Sequence, residues 1–141
     1  MLAMTYREND RPSPLLIVGF GDHVFGMSLT TGERVWQRDL HGRSMRIETD
    51  GEHVYVIGNV LECLEYATGK VLWRQPDISG VFANGRTLLL HGDHVVIGDA
   101  GQVACIDART GTILWHDEYT GLGVGPVALA VPGKAVQADL S

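Results

Sequence analysis

Three segments of this chain share one six-residue pattern, T-G-x-x-x-W, and that recurrence restricts the fold more than any other feature. They run from Thr31-Gly32 to Trp36, from Thr68-Gly69 to Trp73 and from Thr110-Gly111 to Trp115. The glycines stand 37 and 42 residues apart, and all three tryptophans of the protein occupy this one position. A unit of that length cannot bury both of its apolar faces alone, so copies must stack on one another.

The repeat extends upstream. Val18-Gly19, Ile57-Gly58 and Ile97-Gly98 each close an apolar run, and Val24, Leu61 and Val103 open the next one after a short turn. Each unit therefore reads as run, turn, run, T-G turn, run. The runs are short and rich in β-branched residues, with no sustained 3.6-residue period, which makes them strands and the chain all-β. The 18 glycines among 141 residues suit a chain with many tight turns. A further strand precedes two of the triplets, at Met45–Thr49 and Thr87–Leu90. Four-stranded antiparallel units with two apolar faces are the blades of a β-propeller. The expected boundaries are blade 1 over about 2–40, with Leu2–Tyr6 as a candidate first strand, blade 2 over 44–76 and blade 3 over 86–119. Val127 to Asp139 aligns without a gap on Thr87 to Asp99, which suggests a partial fourth blade over 126–139.

The third copy, Val103-Ala-Cys-Ile-Asp-Ala-Arg-Thr-Gly-Thr-Ile-Leu-Trp115, resembles the pyrroloquinoline-quinone (PQQ) type propeller repeat, V-Y-A-L-D-A-x-T-G-x-x-x-W. The second copy keeps Thr68, Gly69 and Trp73 but has Glu65 where the repeat has Asp, and the first has Ser28 there. The resemblance implies a blade architecture more than an activity. Similar repeats build quinone-dependent alcohol dehydrogenases, an outer-membrane assembly lipoprotein and sensor domains of bacterial kinases. Only the first group binds the quinone, using calcium-binding and catalytic residues outside the repeat. No counterpart of those residues is found in the chain, so no cofactor is expected.

Propellers close with about four to eight blades, and three fall short. The ends must be covered, because bare blade faces and strand edges aggregate. A homo-oligomer is expected, with a six-blade dimer the leading arrangement, since symmetric closure is the commonest cover. A different protein on an open wedge, or continuation into a longer propeller, remain alternatives.

The signature residues Gly32, Trp36, Gly69, Trp73, Asp107, Gly111 and Trp115 read as structural: the rings pack against the next blade, and Asp107 and Glu65 hold the T-G turns. Cys63 and Cys105 share a repeat position in different blades and read as small buried apolar residues rather than a disulfide. His91 and His94 form the one close histidine pair and lack a third ligand for a metal. Gly121-Leu-Gly-Val-Gly125 and Gly69-Lys70 fail the spacing of nucleotide-binding loops. Ser79, His91 and Asp99 have no nucleophile motif around them. The candidate interaction loops are Asp77–Gly85, with Phe82, and His116–Pro126, with Tyr119. The formal charge of −6 argues against nucleic acid, and no apolar stretch is long enough to span a bilayer. The first ten residues lack signal-peptide character, giving a cytoplasmic expectation that a removed leader would reverse. The expected role is a non-catalytic protein-binding or assembly scaffold. A ligand sensor using an assembled channel is the alternative, followed by a fragment of a quinoprotein dehydrogenase.

Overall fold

The structure, a computed structural model, describes residues 14–40, 45–78, 86–123 and 125–138. Among these described residues, thirteen strands lie in sequence order in four antiparallel sheets, with no α-helix and a single 3-10 turn at Pro76–Ile78. The first sheet has β1 (Leu15–Phe20), β2 (His23–Ser28) and β3 (Arg34–Asp39). The second has β4 (Arg46–Thr49), β5 (His53–Ile57), β6 (Leu61–Glu65) and β7 (Val71–Gln75). The third has β8 (Thr87–His91), β9 (His94–Asp99), β10 (Gln102–Asp107) and β11 (Ile113–Asp117), and the last is the hairpin of β12 (Leu129–Val131) and β13 (Lys134–Val136). This is a partial propeller: an all-β stack of antiparallel blades with a fourth begun. The candidate first strand Leu2–Tyr6 and the loop residue Phe82 lie outside the described residues.

Each sheet is a meander because every connection between its strands is a short turn. In the hairpin, Val131 pairs with Lys134 across Pro132-Gly133 as His91 pairs with His94 across Gly92-Asp93, so the two hairpins share a register. The hairpin's first strand is shorter than the apolar run from Val127 suggests. The Val127 carbonyl is taken by the Thr87 hydroxyl at 2.8 Å, and its side chain fills the space beside Gly98, where a Cβ would stand 2.7 Å away. Val127 is thus used to hold the hairpin on the third sheet.

The core lies between sheets. Val24 and Trp36 of the first sheet pack with Val54, Val56 and Leu64 of the second. Tyr55, Ile57, Leu61 and Cys63 of the second pack with Leu88, Val95, Ile97 and Ile106 of the third. Alternate residues of one strand therefore serve opposite interfaces, which is why the strands are apolar on both faces. Complete burial of a side chain such as Leu61 or Ile106 stabilises by ~1.5–3 kcal/mol. First strands β4, β8 and β12 are neighbours, and there Lys134 Nζ donates to Glu48 Oε1 at 2.9 Å and to the Leu90 carbonyl at 3.2 Å.

Candidate functional site

The T-G turn is built the same way three times. The amides of Gly32, Gly69 and Gly111 each donate at 2.8 Å to the carbonyl four residues back, on Ser28, Glu65 and Asp107. The threonine hydroxyl accepts the amide two residues on, from Glu33, Lys70 and Thr112, at 3.1–3.2 Å. The three glycines have φ of +76°, +74° and +81°, the left-handed conformation that favours glycine. Asp107 accepts the Arg109 amide at 2.9 Å and the Arg109 guanidinium at 3.2 Å. Those hydrogen bonds hold its carboxyl below the ordinary range. Glu65 instead accepts from the Thr68 hydroxyl, the longer side chain reaching a different donor.

Each tryptophan stands opposite a small residue on the neighbouring strand: Trp36 across from Gly26, Trp73 from Cys63 and Trp115 from Cys105. A bulge follows each of these pairs. The ring then reaches the next sheet. A Cβ on Gly69 would stand 2.4 Å from Trp36 Cε3, and one on Gly111 would stand 2.5 Å from Trp73 Cε3, so the turn glycine admits the preceding tryptophan. Trp36 Nε1 donates to the Tyr66 carbonyl at 2.9 Å, and Trp73 Nε1 to the Ala108 carbonyl at 3.0 Å. Two residues beyond each ring, a long donor closes the contact. Arg38 Nε donates to the Gly69 carbonyl and Gln75 Nε2 to the Gly111 carbonyl at 2.7 Å. Val71 and Ile113, two residues after the turn glycines, pack on the same clusters as the rings.

The third tryptophan has no such socket among the described residues. Trp115 is 50% exposed against 8% for Trp36. It lines an open groove of about 440 Å³ with Leu89, Val96, Val103, Tyr119 and residues 127–131 of the hairpin arm. Tyr119 is 41% exposed at φ +48°, its amide bound to Asp117 Oδ1 at 2.8 Å. At the other end, a Cβ on Gly32 would meet nothing within 4 Å, and Leu29, which corresponds to Tyr66 and Ala108, is 60% exposed.

The remaining candidates stay apart. Cys63 and Cys105 are buried and unbonded, and burial pushes the Cys63 thiol up to about 12. Among the described residues no three His, Cys, Asp or Glu side chains converge as metal ligands, and His91 and His94 simply flank a turn. Asp99 is held by Arg86 at 3.1 Å in a buried pair, and Ser79 lies outside the described residues. Gly121 and Gly123 adopt positive φ in a loop that leads to no helix. No helix of the described residues is long and apolar enough to cross a membrane. Sequence reasoning missed the donor two residues past Trp36 and Trp73. The signal was there in Arg38 and Gln75, and its exception is Asp117.

Sheets stacked through this tryptophan contact define the class: a partial propeller of PQQ-type repeats. The chain belongs to the family described as outer membrane protein assembly factor BamB, whose model matches residues 21–138. No curated protein sequence matches the chain significantly. Among solved structures it is similar to BamB from Moraxella catarrhalis, at 19% identity and a TM-score of 0.56, covering 76% of this chain and 34% of that one. Quinohemoprotein alcohol dehydrogenase from Comamonas testosteroni gives 22% and 0.59, covering 74% and 19%. Dihydro-heme d1 dehydrogenase NirN gives 21% and 0.61, covering 75% and 24%. The chain thus spans about a third of the assembly factor and a quarter or less of the two dehydrogenases, and the likeness is one of fold.

Proposed function

We propose that the chain is a non-catalytic protein-binding scaffold of the assembly-factor type, acting through its open apolar blade face. The observation that carries this reading is Trp115. A half-exposed tryptophan in an apolar groove, beside the exposed Tyr119, has the aromatic composition of interface hot spots. Two sister faces pack their rings against a neighbouring sheet, and the third carries the same ring with an apolar lining. Family membership supports the same reading.

Ligand binding in an assembled channel is the second reading. The Lys134–Glu48 pair at 2.9 Å favours it, because it places two charges beside the neighbouring first strands β4, β8 and β12. A quinoprotein fragment is third and rests on the likeness to the two dehydrogenases.

A photo-crosslinking amino acid at Tyr119, in the full chain expressed in cells, separates them. The scaffold reading expects covalent adducts with a polypeptide, reduced when Trp115→Ala is added. Absence of any polypeptide adduct would sink it. An absorbance change on mixing the purified chain with pyrroloquinoline quinone and calcium would favour the quinoprotein instead.

A further inference from the structure

We propose that a cavity between the first and second sheets binds a primary alkylammonium group, its charge shared by Glu62 and Asp39 and its chain lying against Leu40 and Val60. This goes beyond the scaffold reading and is independent of it, since Trp115 stands on the third sheet.

Glu62 marks the place. It shares a repeat position with the buried residues Phe25 and Ala104, one residue before the small residue opposite each tryptophan. Its cross-strand partner Val56 and its neighbour two residues on, Leu64, both belong to the apolar cluster between the first two sheets. Alternation along the strand therefore turns Glu62 towards the first sheet. Its side chain is 8% exposed. A carboxylate buried in an apolar interface costs free energy unless it is paired and hydrogen-bonded. Arg74 meets half of that need, donating from Nε to Glu62 Oε1. The other oxygen accepts no hydrogen bond among the described residues.

Glu62 lines a cavity of about 260 Å³ with Asp39, Leu40, Gly58, Val60 and Arg74. Backbone hydrogen bonds fix both walls. The Leu40 amide donates to the Asp22 carbonyl at 2.6 Å, and the Gly58 amide to the Val60 carbonyl at 3.2 Å. Asp39 Oδ1 lies 2.8 Å from His23 Nδ1 and accepts from Gln37 Nε2 at 3.1 Å, which leaves Oδ2 with open acceptor capacity. Two carboxylates against one guanidinium leave the lining with one net negative charge, so the complementary guest is a cation.

The class of cation follows from the donor and acceptor geometry. A metal ion does not fit, because no three His, Cys, Asp or Glu side chains converge among the described residues. A guanidinium prefers both oxygens of one carboxylate, and Arg74 already takes one of Glu62's. A primary ammonium is a compact charge whose three donors can be divided between Glu62 and Asp39. Leu40 and Val60 then cover a short alkyl chain, in a cavity smaller than the roughly 300–1,000 Å³ that drug-sized ligands occupy. A free alkylamine and a lysine side chain both carry that charge on such a chain, and the test separates these sources.

The test titrates the purified, isotopically labelled full chain with n-butylammonium in about 0.15 M salt and follows amide chemical shifts. Saturable shifts at Leu40, Gly58, Val60 and Glu62 are expected, with a Kd of about 1–10 mM for so small a guest. n-Butanol, which has the chain without the charge, should bind about tenfold more weakly or worse. Glu62→Gln keeps the side chain's shape and should weaken binding by about tenfold or more. Asp39→Asn, at a side chain 71% exposed, should leave the fold intact and weaken binding by about threefold. Nα-acetyl-lysine amide binding at the same amides as tightly as n-butylammonium, or more tightly, assigns the guest to a lysine of a polypeptide. Weaker binding of the lysine compound assigns it to a free amine. Absence of shifts at these amides, shifts scattered over other acidic residues, equal binding of n-butanol, or unchanged binding in either variant overturns the inference. Trp115→Ala should leave the titration unchanged, so failure here and failure of the scaffold reading are read separately.

Discussion

The contact of Trp73 with the Gly111 turn and the open face around Trp115 start from the same sequence pattern and end in opposite states. Trp73 lies against a glycine turn, donates its indole N–H to Ala108, and is followed by Gln75, which clamps the Gly111 carbonyl. Trp115 is half exposed, lines a groove and is followed by a carboxylate. The difference teaches that a repeat residue has no energy of its own. Its contribution is set by the neighbour it meets, as expected for a stack in which each unit touches only the next.

The largest effect follows from removing the rings. Trp73→Ala strips a packed ring and its hydrogen bond from a closed interface and should cost about 3–5 kcal/mol in urea unfolding, as large aromatic truncations do. Trp115→Ala should cost about 1 kcal/mol or less, since that ring is half exposed. Equal losses at the two sites would show that the Trp115 face is closed in solution, and would erase the contrast.

The turn glycines sharpen the same contrast. At Gly111 an added methyl meets both a left-handed backbone, costing roughly 1–2 kcal/mol, and the Trp73 ring, whose displacement costs about 1–3 kcal/mol more. At Gly32 only the backbone cost applies, because nothing stands within 4 Å. Gly111→Ala should therefore lower the melting temperature clearly further than Gly32→Ala. If the two fall together, the ring contributes little and backbone strain is the whole effect.

These pairs also mark how far the sequence could be read. The blades, their order and the partial fourth were legible because turn chemistry and short apolar runs are local, and three copies of T-G-x-x-x-W fix one another's register. That Gly69 and Gly111 exist to admit the previous ring was visible only as a recurring Gly at a turn. The exposure of Trp115 in particular was hard to read, since its repeat pattern is that of Trp36 and Trp73 and the neighbour it meets is what distinguishes it. Lys134 reaching Glu48 from 86 residues away is likewise a product of stacking, with no local trace. Asp117 was the one readable warning, a carboxylate at a position where two earlier copies place a donor.

The smallest expected effect is chemical rather than energetic. Cys63 lies behind the closed Trp73 contact and Cys105 behind the open Trp115 face, each opposite its ring. Burial raises both thiols, with Cys63 pushed up to about 12, and burial together with the Asp50 charge is the cause there. A thiolate is the reactive form, so the folded chain at pH 8 should modify slowly at both positions, and Cys105 should react before Cys63. The sign for stability follows from the same shift. The folded state holds the Cys63 proton more tightly than the unfolded chain, so this contribution is intact below the unfolded thiol's pKa near 9 and fades as pH rises from there towards 12. Cys63→Ala should flatten that alkaline decline, whereas Cys105→Ala should change it less. Mass spectrometry of partially labelled protein reads the order directly. Were Cys63 to label first, the Trp73 contact would be opening more readily than the exposed face beside Cys105, and the distinction between a closed and an open tryptophan would have to be abandoned.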